Sequence, residues 1–382
     1  MDHSPSKRTW KRFKRNKPAV AGLALIIIMV LMGILGYLIM PDKTPMANNM
    51  LLQLSISKPG SEFTILKIKK NELPGRQNIL DRILFGQPAQ YRQLPINSYR
   101  FKGDSILVRE YIGQDETAEE SSYSLKEILA GKNDILQLSE PQKYEYIKQH
   151  YIQKKTFWLG TDIYGRDLLS RLILGSRISL AVGVMAVFIS LFIGISLGAL
   201  AGYYGGRVDA LISWLMNVVW SLPALLLVIA ISFALGKGFW QIFIAVGLSM
   251  WVEVARLVRG QMLALKQVEF VEAAKALGFN DRRIMIRHIL PNISGPILVV
   301  ASSNFASAIL LEAGLSFLGF GAQPPIPTWG GMIKEHYGYI IMDAAYLAIL
   351  PGLAIMLLVY AFNLVALGLQ DVFDVKSQNT NV

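Results

Sequence analysis

Cysteine is absent from the 382 residues, which excludes disulfides, thiolate metal sites and cysteine nucleophiles. Histidine is scarce: its four copies, His3, His150, His288 and His336, fall in four separate segments. That spread argues against a histidine metal cluster or a hydrolytic triad, and no catalytic set is visible. The pattern G-x-x-x-x-G-K-[ST] is also missing, so any ATP hydrolysis belongs to another polypeptide. Charge is thin, at 17% against 53% hydrophobic residues, and mean hydropathy is +0.39. Soluble domains of this length are seldom so apolar. No internal repeat or low-complexity tract stands out.

What the chain has is six long apolar runs: 18–40, 178–202, 210–236, 239–255, 292–311 and 345–369. Each is near the ~20 residues that cross a ~30 Å hydrocarbon core as a helix. The runs are continuous rather than alternating, which favours helices over a barrel. The fourth is the shortest and carries Glu253. The net charge of +11 would suit nucleic acid, but its placement points to lipid. Lys7, Arg8, Lys11, Arg12, Lys14, Arg15 and Lys17 stand just before the first run, as a cytoplasmic anchor on anionic headgroups would. That run exceeds the ~7–15 residues of a signal-peptide core, and a poor cleavage site follows it, so an uncleaved span is expected. With the N-terminus inside, the short inner segments hold roughly fifteen Lys/Arg. The short outer loops hold about two, Lys237 and Lys334. The expectation is an all-α polytopic protein of the cytoplasmic (inner) membrane with six transmembrane helices. Both termini are expected to be cytoplasmic, with membrane lipid around the spans and no nucleic-acid partner.

This divides the chain into a basic N-terminus (1–17), a first span (18–40), an insert (41–157), a core (158–375) and a tail (376–382). The core holds spans two to six and a polar inner loop at 257–290. The insert is too long for a structureless loop. Residues 51–57 and 63–70 alternate like strands, and 105–112 is rich in β-branched residues. Residues 124–130 and 140–154 read as short helices. With 17 basic and 14 acidic residues, the insert shows no electrostatic footprint for nucleic acid. A small α+β extracytoplasmic insert between spans one and two is expected.

The inner loop carries Glu272-Ala273-Ala274-Lys275-Ala276-Leu277-Gly278 and, after nine intervening residues, His288-Ile289-Leu290-Pro291. Residues 268–277 form a helix readily, and Gly278 supplies the positive φ that ends one. Asn280 or Asp281 can cap a second helix over 281–290, and Pro291 opens the next span. Ala273 and Ala274 are small enough for another surface to come close. Glu272 offers a carboxylate, flanked by Arg282, Arg283 and Arg287. A second motif is Trp158-Leu159-Gly160-Thr161-Asp162-Ile163-Tyr164-Gly165-Arg166-Asp167, continued by Ser170-Arg171 and Gly175-Ser176-Arg177. Its glycines permit tight turns, and its Asp and Arg side chains can pair at the outer boundary. A third runs from Leu315 to Gly321, then Pro324-Pro325 and Trp329-Gly330.

Together these motifs resemble the ATP-binding-cassette import permeases of the dipeptide/oligopeptide (nickel) subgroup. The subunit type is the one with a single leading span and an EAA loop, and the likeness covers about 158–375. The resemblance implies that Glu272, Ala273, Ala274 and Gly278 meet a cleft on the nucleotide-binding subunit, with Arg282, Arg283, Arg287 and Pro291 completing the coupling loop. It implies a non-catalytic permease subunit that binds no cofactor or metal, with ATP and Mg on partner subunits. Those partners are a second homologous permease, two ATP-binding subunits and an extracytoplasmic substrate-binding protein. His288 departs from the general family, which has an aliphatic residue there, and as a lone histidine it reads as structural. The insert is also larger than that subunit leads one to expect.

Within the spans, Asn217, Ser302, Ser303, Asn304, Ser307 and Asn363 are candidates to line a solute path. Interhelical hydrogen bonding is the competing use. Pro223 is expected to kink the third span after Trp220-Ser221-Leu222. Gly183, Gly194, Gly198 and Gly202 suit close helix packing. Glu312 and Asp343, near the outer boundary, are candidates to attract a peptide's cationic terminus. The function expected is the membrane passage of an ATP-driven peptide importer. Nickel chelates or peptide antibiotics are alternative cargoes, and a membrane-anchored sensor is the reading from another class. The insert can be a docking surface for the binding protein, a brace for the sister subunit, or an elaboration.

Overall fold

The computed structural model describes residues 5–70, 78–113, 119–129, 132–236 and 238–373. His3, Gly131, Lys237 and the tail 376–382 lie outside the described residues. A basic helix, α1 (Pro5–Phe13), leads into α2 (Lys17–Ile39). Asn16 caps α2 by accepting from the Ala19 amide, with proline in the first turn where its missing N–H costs nothing.

The insert holds the short helices α3 (Ile79–Phe85), α4 (Leu125–Ile128), α5 (Asn133–Leu136) and α6 (Glu140–His150). Its strands are β1 (Ser61–Lys69), β2 (Tyr91–Lys102), β3 (Ser105–Glu110), β4 (Glu120–Ser124) and β5 (Ile152–Phe157). They form one antiparallel sheet in the order β4-β3-β2-β1-β5, with Thr64 opposite Ile96 and Lys154. Leu66, Ile68, Leu94, Ile96, Ile106 and Val108 pack against Leu125, Ile128, Ile147 and Tyr151 of the helical cover. The expected α+β character is therefore present, and Ser124 caps α4.

Two local expectations are corrected. Residues 51–57 are not a strand but a 3-10 turn, Leu52–Leu54. The hydroxyls of Ser55 and Ser57 bond back to the carbonyls of Leu52 and Leu54, and Leu51 and Leu54 plug into Ile65 and Phe157. The helix expected over 140–154 stops at His150, and the chain turns into β5, which pairs with β1.

The core comprises α7 (Leu168–Tyr204), α8 (Gly206–Trp220), α9 (Ala224–Leu235), α10 (Phe239–Leu265), α11 (Glu269–Ala276), α12 (Asp281–Arg283), α13 (Ser294–Leu318), α14 (Trp329–His336) and α15 (Tyr346–Phe373). Among the described residues, five helices are long and apolar enough to cross a membrane: Lys17–Ile39, Leu168–Tyr204, Trp240–Leu265, Asp281–Leu318 and Tyr346–Phe373. The expected third span, 210–236, is not one continuous helix. It is the pair α8 and α9, bent by 96° at Ser221-Leu222-Pro223. A proline removes one helical hydrogen bond, and here the chain leaves the helix altogether. The spans also run longer than their apolar runs, since α7 begins at Leu168 and α10 continues to Leu265.

The glycines of α7 serve close packing. A Cβ on Gly194, Gly198 or Gly202 would stand 2.7, 2.5 or 2.7 Å from the carbonyl oxygens of Trp251, Ala255 or Arg259 in α10. One on Gly183 would meet the Phe305 ring of α13 at 2.5 Å.

Candidate coupling loop and solute path

The inner loop folds as a short helix stopped by glycine and followed by an irregular one. α11 ends at a turn in which Gly278 takes φ 74°, the left-handed conformation expected of it. Asn280 then caps α12, its side chain accepting from the Arg283 amide at 2.9 Å. The helix expected over 281–290 is regular only to Arg283. Ile284–Ile289 adopt a π-helical turn and Leu290–Ile293 a 3-10 turn before α13. Pro291 has no N–H to give the preceding turn, and the Asn292 side chain donates from Nδ2 to the His288 carbonyl instead, at 2.6 Å. Such departures from α geometry concentrate at functional sites.

One face of this element is core. Val271, Ala274, Ile284, Met285 and Ile289 pack on Val254, Val258 and Met262 of α10 and on Ala199 and Tyr203 of α7. The Tyr203 hydroxyl donates to Asp281 at 2.7 Å, and Lys266 donates to the Tyr203 carbonyl. The other face carries Glu272, Ala273, Gly278, Arg282, Arg283, Arg287 and Pro291, all exposed, with Leu277 at 72% exposure among them. Ala274 is the exception among the expected contact residues. It is 3% exposed and turned into the chain's own core, so only Ala273 is open to an approaching surface. His288 stacks on Phe279 with ring centroids 5.6 Å apart, and Arg283 sits 4.0 Å over the same ring.

The expected path residues are not gathered in one place. Ser307 lines a cavity of about 450 Å³ between the break at Leu222, α10 and α13, with Ser249, Glu253 and Met250 opposite. Ser303 is exposed one turn below Ser307 on α13. Asn217 accepts from Arg256 at 3.0 Å, and the Arg256 guanidinium lies 4.5 Å over the Trp220 ring. Ser302 bonds back to the Leu298 carbonyl of its own helix, which is not the interhelical use. Asn304 is buried with both amide atoms unpartnered among the described residues. Asn363 is exposed on α15, outside the cavity lining. Sequence reasoning missed Ser249 as a lining residue and saw Glu253 only as a disturbance of a span. A charged residue inside an apolar run was the available signal.

At the opposite end of the core, the second motif builds a buried ionic cluster. Asp162 accepts from the Arg166 guanidinium at 2.5 Å and from the amides of Tyr164 and Arg166 at 2.9 Å each. Arg166 also reaches Glu335 at 3.1 Å and Asn48 at 3.3 Å, and Arg171 stands 3.5 Å from Asp162. Asp and Arg pair as expected, and the pairing ties the turn before α7 to α14. Asp162, Glu335 and His336 each place a ligand atom within 4.8 Å of the others. Two guanidinium groups already neutralise both carboxylates, which leaves little charge for a metal ion. Burial lowers the pKa of His336, whose Nδ1 lies 2.6 Å from the Met332 carbonyl. Burial raises that of Asp167, which caps α7. Glu312 and Asp343 do not form one site. Glu312 is buried on Ser316 at 2.7 Å and Ser179 at 3.4 Å, whereas Asp343 is exposed and paired with Lys58 at 3.3 Å.

Residues 194–378 match the family model for the binding-protein-dependent transport system inner membrane component. Residues 4–53 match that for the N-terminal TM domain of oligopeptide transport permease C. The chain is 42% identical over 233 residues to the glutathione transport system permease protein GsiD of Pectobacterium atrosepticum, covering 61% of this chain and 77% of that one. It is 42% identical over 222 residues to the dipeptide transport system permease protein DppC of Alkalihalophilus pseudofirmus, covering 58% and 73%. Among solved structures, the inward-facing MetNI methionine ABC transporter matches 53% of this chain and 97% of its own, at 20% identity and a TM-score of 0.42.

Proposed function

We propose a function from one premise: the chain belongs to the dipeptide/oligopeptide-type permeases of ATP-binding-cassette importers, and it is an inner-membrane protein. In this reading it carries peptides across the membrane, glutathione and dipeptides being the cargo for which its relatives are named. It works with a sister permease, two ATP-binding subunits and an extracytoplasmic binding protein. ATP and Mg stay on the ATP-binding subunits, and this chain contributes shape rather than catalysis. Both termini and the loop 257–290 face the cytoplasm, and the insert faces outward.

The observation that carries the reading is the continuous run Asp281–Leu318. The exposed face around Glu272, Ala273 and Leu277 receives the ATP-binding subunit, and α13 bears Ser307 in the cavity wall. A push on the loop therefore reaches the cavity wall through one helical rod, jointed at Ile284–Ile293. Nucleotide drives the switch only if it binds the outward-facing assembly more tightly than the inward-facing one. The test is uptake together with a mild-detergent pull-down. Glu272→Arg should leave membrane insertion intact, lose the ATP-binding subunits and abolish peptide uptake. Uptake at the wild-type rate would remove the coupling assignment.

A further inference from the structure

A second cavity, also about 450 Å³, lies under the insert where β1, β2 and β5 meet the end of α2. Its chemistry is unlike that of the first. Lys43, Lys67, Arg82 and Lys155 line it, against a single carboxylate, Asp42. Asp42 is already spent on the backbone, accepting from the Thr44 amide at 3.0 Å and the Asn49 amide at 3.2 Å. Among the described residues none of the four cations has an ion-pair partner. Lys155 donates to the Gln93 side chain at 3.3 Å and lies 4.9 Å over the Phe157 ring, and the Lys67 ammonium lies 6.0 Å over the Tyr91 ring. Burial holds the ammonium groups of Lys67 and Lys155 below their usual pKa. Lys67 and Lys155 are half-buried and Lys43 and Arg82 exposed, so four cations face one hydrogen-bonded carboxylate in the lining, a surplus of positive charge that an anion would offset.

The position of α3 indicates which anion. Its Ile79, Leu80 and Phe85 are 74%, 71% and 62% exposed, on the same short helix as Arg82. The helix is strapped to the end of α2. The Gln87 amide donates to the Lys43 carbonyl at 2.7 Å, and a Cβ on Gly86 would stand 2.6 Å from the Tyr37 ring. Arg177 of α7 donates to the Leu84 carbonyl at 2.8 Å. These ties fix α3 beside Leu38 and Ile39, exposed residues of the last turn of α2, where that span leaves the hydrocarbon. Apolar side chains at the membrane boundary with cations beside them match an interfacial anchor on anionic lipid.

We propose that this cavity holds the phosphate of an anionic phospholipid in the leaflet on the insert side, with α3 seated among its acyl chains. The lipid supplies the missing negative charge and pins the insert to the membrane surface. The site is independent of the transported solute and of the coupling loop.

Native mass spectrometry of the full chain in mild-detergent micelles tests this, titrating phosphatidylglycerol against phosphatidylcholine. Phosphatidylglycerol should bind at least tenfold more tightly. A surface cation is worth about fivefold in affinity for anionic lipid, so Lys67→Gln with Lys155→Gln should weaken binding about 25-fold. Arg82→Gln, at an exposed position that leaves the fold undisturbed, should weaken it about fivefold. Inorganic phosphate in tenfold excess should leave the lipid in place. Equal binding of the two lipids, or undiminished binding by the Arg82 variant, would overturn the proposal. Displacement by inorganic phosphate would assign the site to a free anion and overturn the lipid reading.

Discussion

The glycine seam between α7 and α10 makes a prediction whose sign, not only its size, is decided by the structure. In a helix interior, Gly→Ala is worth about 1 kcal/mol of stability through backbone entropy alone. At Gly260 nothing stands within 4 Å of the added Cβ, so Gly260→Ala should stabilise the isolated chain by up to that amount. At Gly198 the same methyl would lie 2.5 Å from the Ala255 carbonyl oxygen and 2.9 Å from the Val258 Cβ. A backbone oxygen cannot rotate aside, so the helices must part. Overpacking of this kind costs about 1–3 kcal/mol, which cancels or outweighs the propensity gain. Gly198→Ala should therefore melt at or below wild type, Gly260→Ala above it, and Gly198→Val lowest of all. The assay is thermal unfolding of each purified variant in one detergent, scored by loss of the monodisperse peak. Gly198→Ala melting as high as Gly260→Ala would refute the seam.

Arg166→Met should cost up to about 3–5 kcal/mol, because it leaves Arg171 alone to offset the buried Asp162 carboxylate and the nearby Glu335. Adding Asp162→Asn to it should recover part of the loss in the same melting assay, and a single-variant cost below about 1 kcal/mol would contradict the cluster's role. His336 sets a pH dependence. Its pKa in the fold is depressed by burial, so its contribution is fully present above the ordinary value of about 6.5 and is lost as pH falls through the depressed value. Melting temperature should drop on acidification below about pH 6.5, and His336→Gln should flatten that part of the profile; an unchanged slope in the variant would rule His336 out. Gly278→Ala has open space around its Cβ but a φ of 74°, so its cost is backbone strain alone, about 1 kcal/mol. Gly278→Asn should cost less than Gly278→Ala, and equal melting of Ala and wild type would mean that the helix does not end there in the left-handed conformation.

The parts of this fold that were legible in the sequence are those whose cause is local. Apolar runs announce spans because each must satisfy lipid along its own length. Gly278 and Ser124 announce a helix end and a helix start because the responsible atoms lie within a turn of the residue. Where the cause is distant, the sequence is mute. β2 contains Pro95, which argues for an edge strand, yet β2 lies between β1 and β3 and is bulged at Ile96/Ser98. The first turns of α7 look too polar for a buried helix, because Arg171 is paid for by Asp162 and by Glu335 from α14. Ala273 and Ala274 are indistinguishable by type, and only the packing on Val258 and Met262 decides which of them faces inward.

That contrast also separates rigid from yielding parts of the core. Between Gly194 and Gly202, α7 and α10 touch backbone to backbone, so relative motion there meets hard contacts along three successive turns. Between Ile284 and Ile293 the chain passes through a π turn and a 3-10 turn, with Pro291 unable to donate and a side chain standing in for one backbone bond. Fewer regular hydrogen bonds resist bending at this joint than anywhere along the seam. The break at Ser221-Leu222-Pro223 is a second joint, and the 450 Å³ cavity lies against it. Between the exposed face of α11 and the cavity, the α7–α10 pair is therefore the tightly packed part, and the two breaks in regular helix are the places least held by backbone hydrogen bonds.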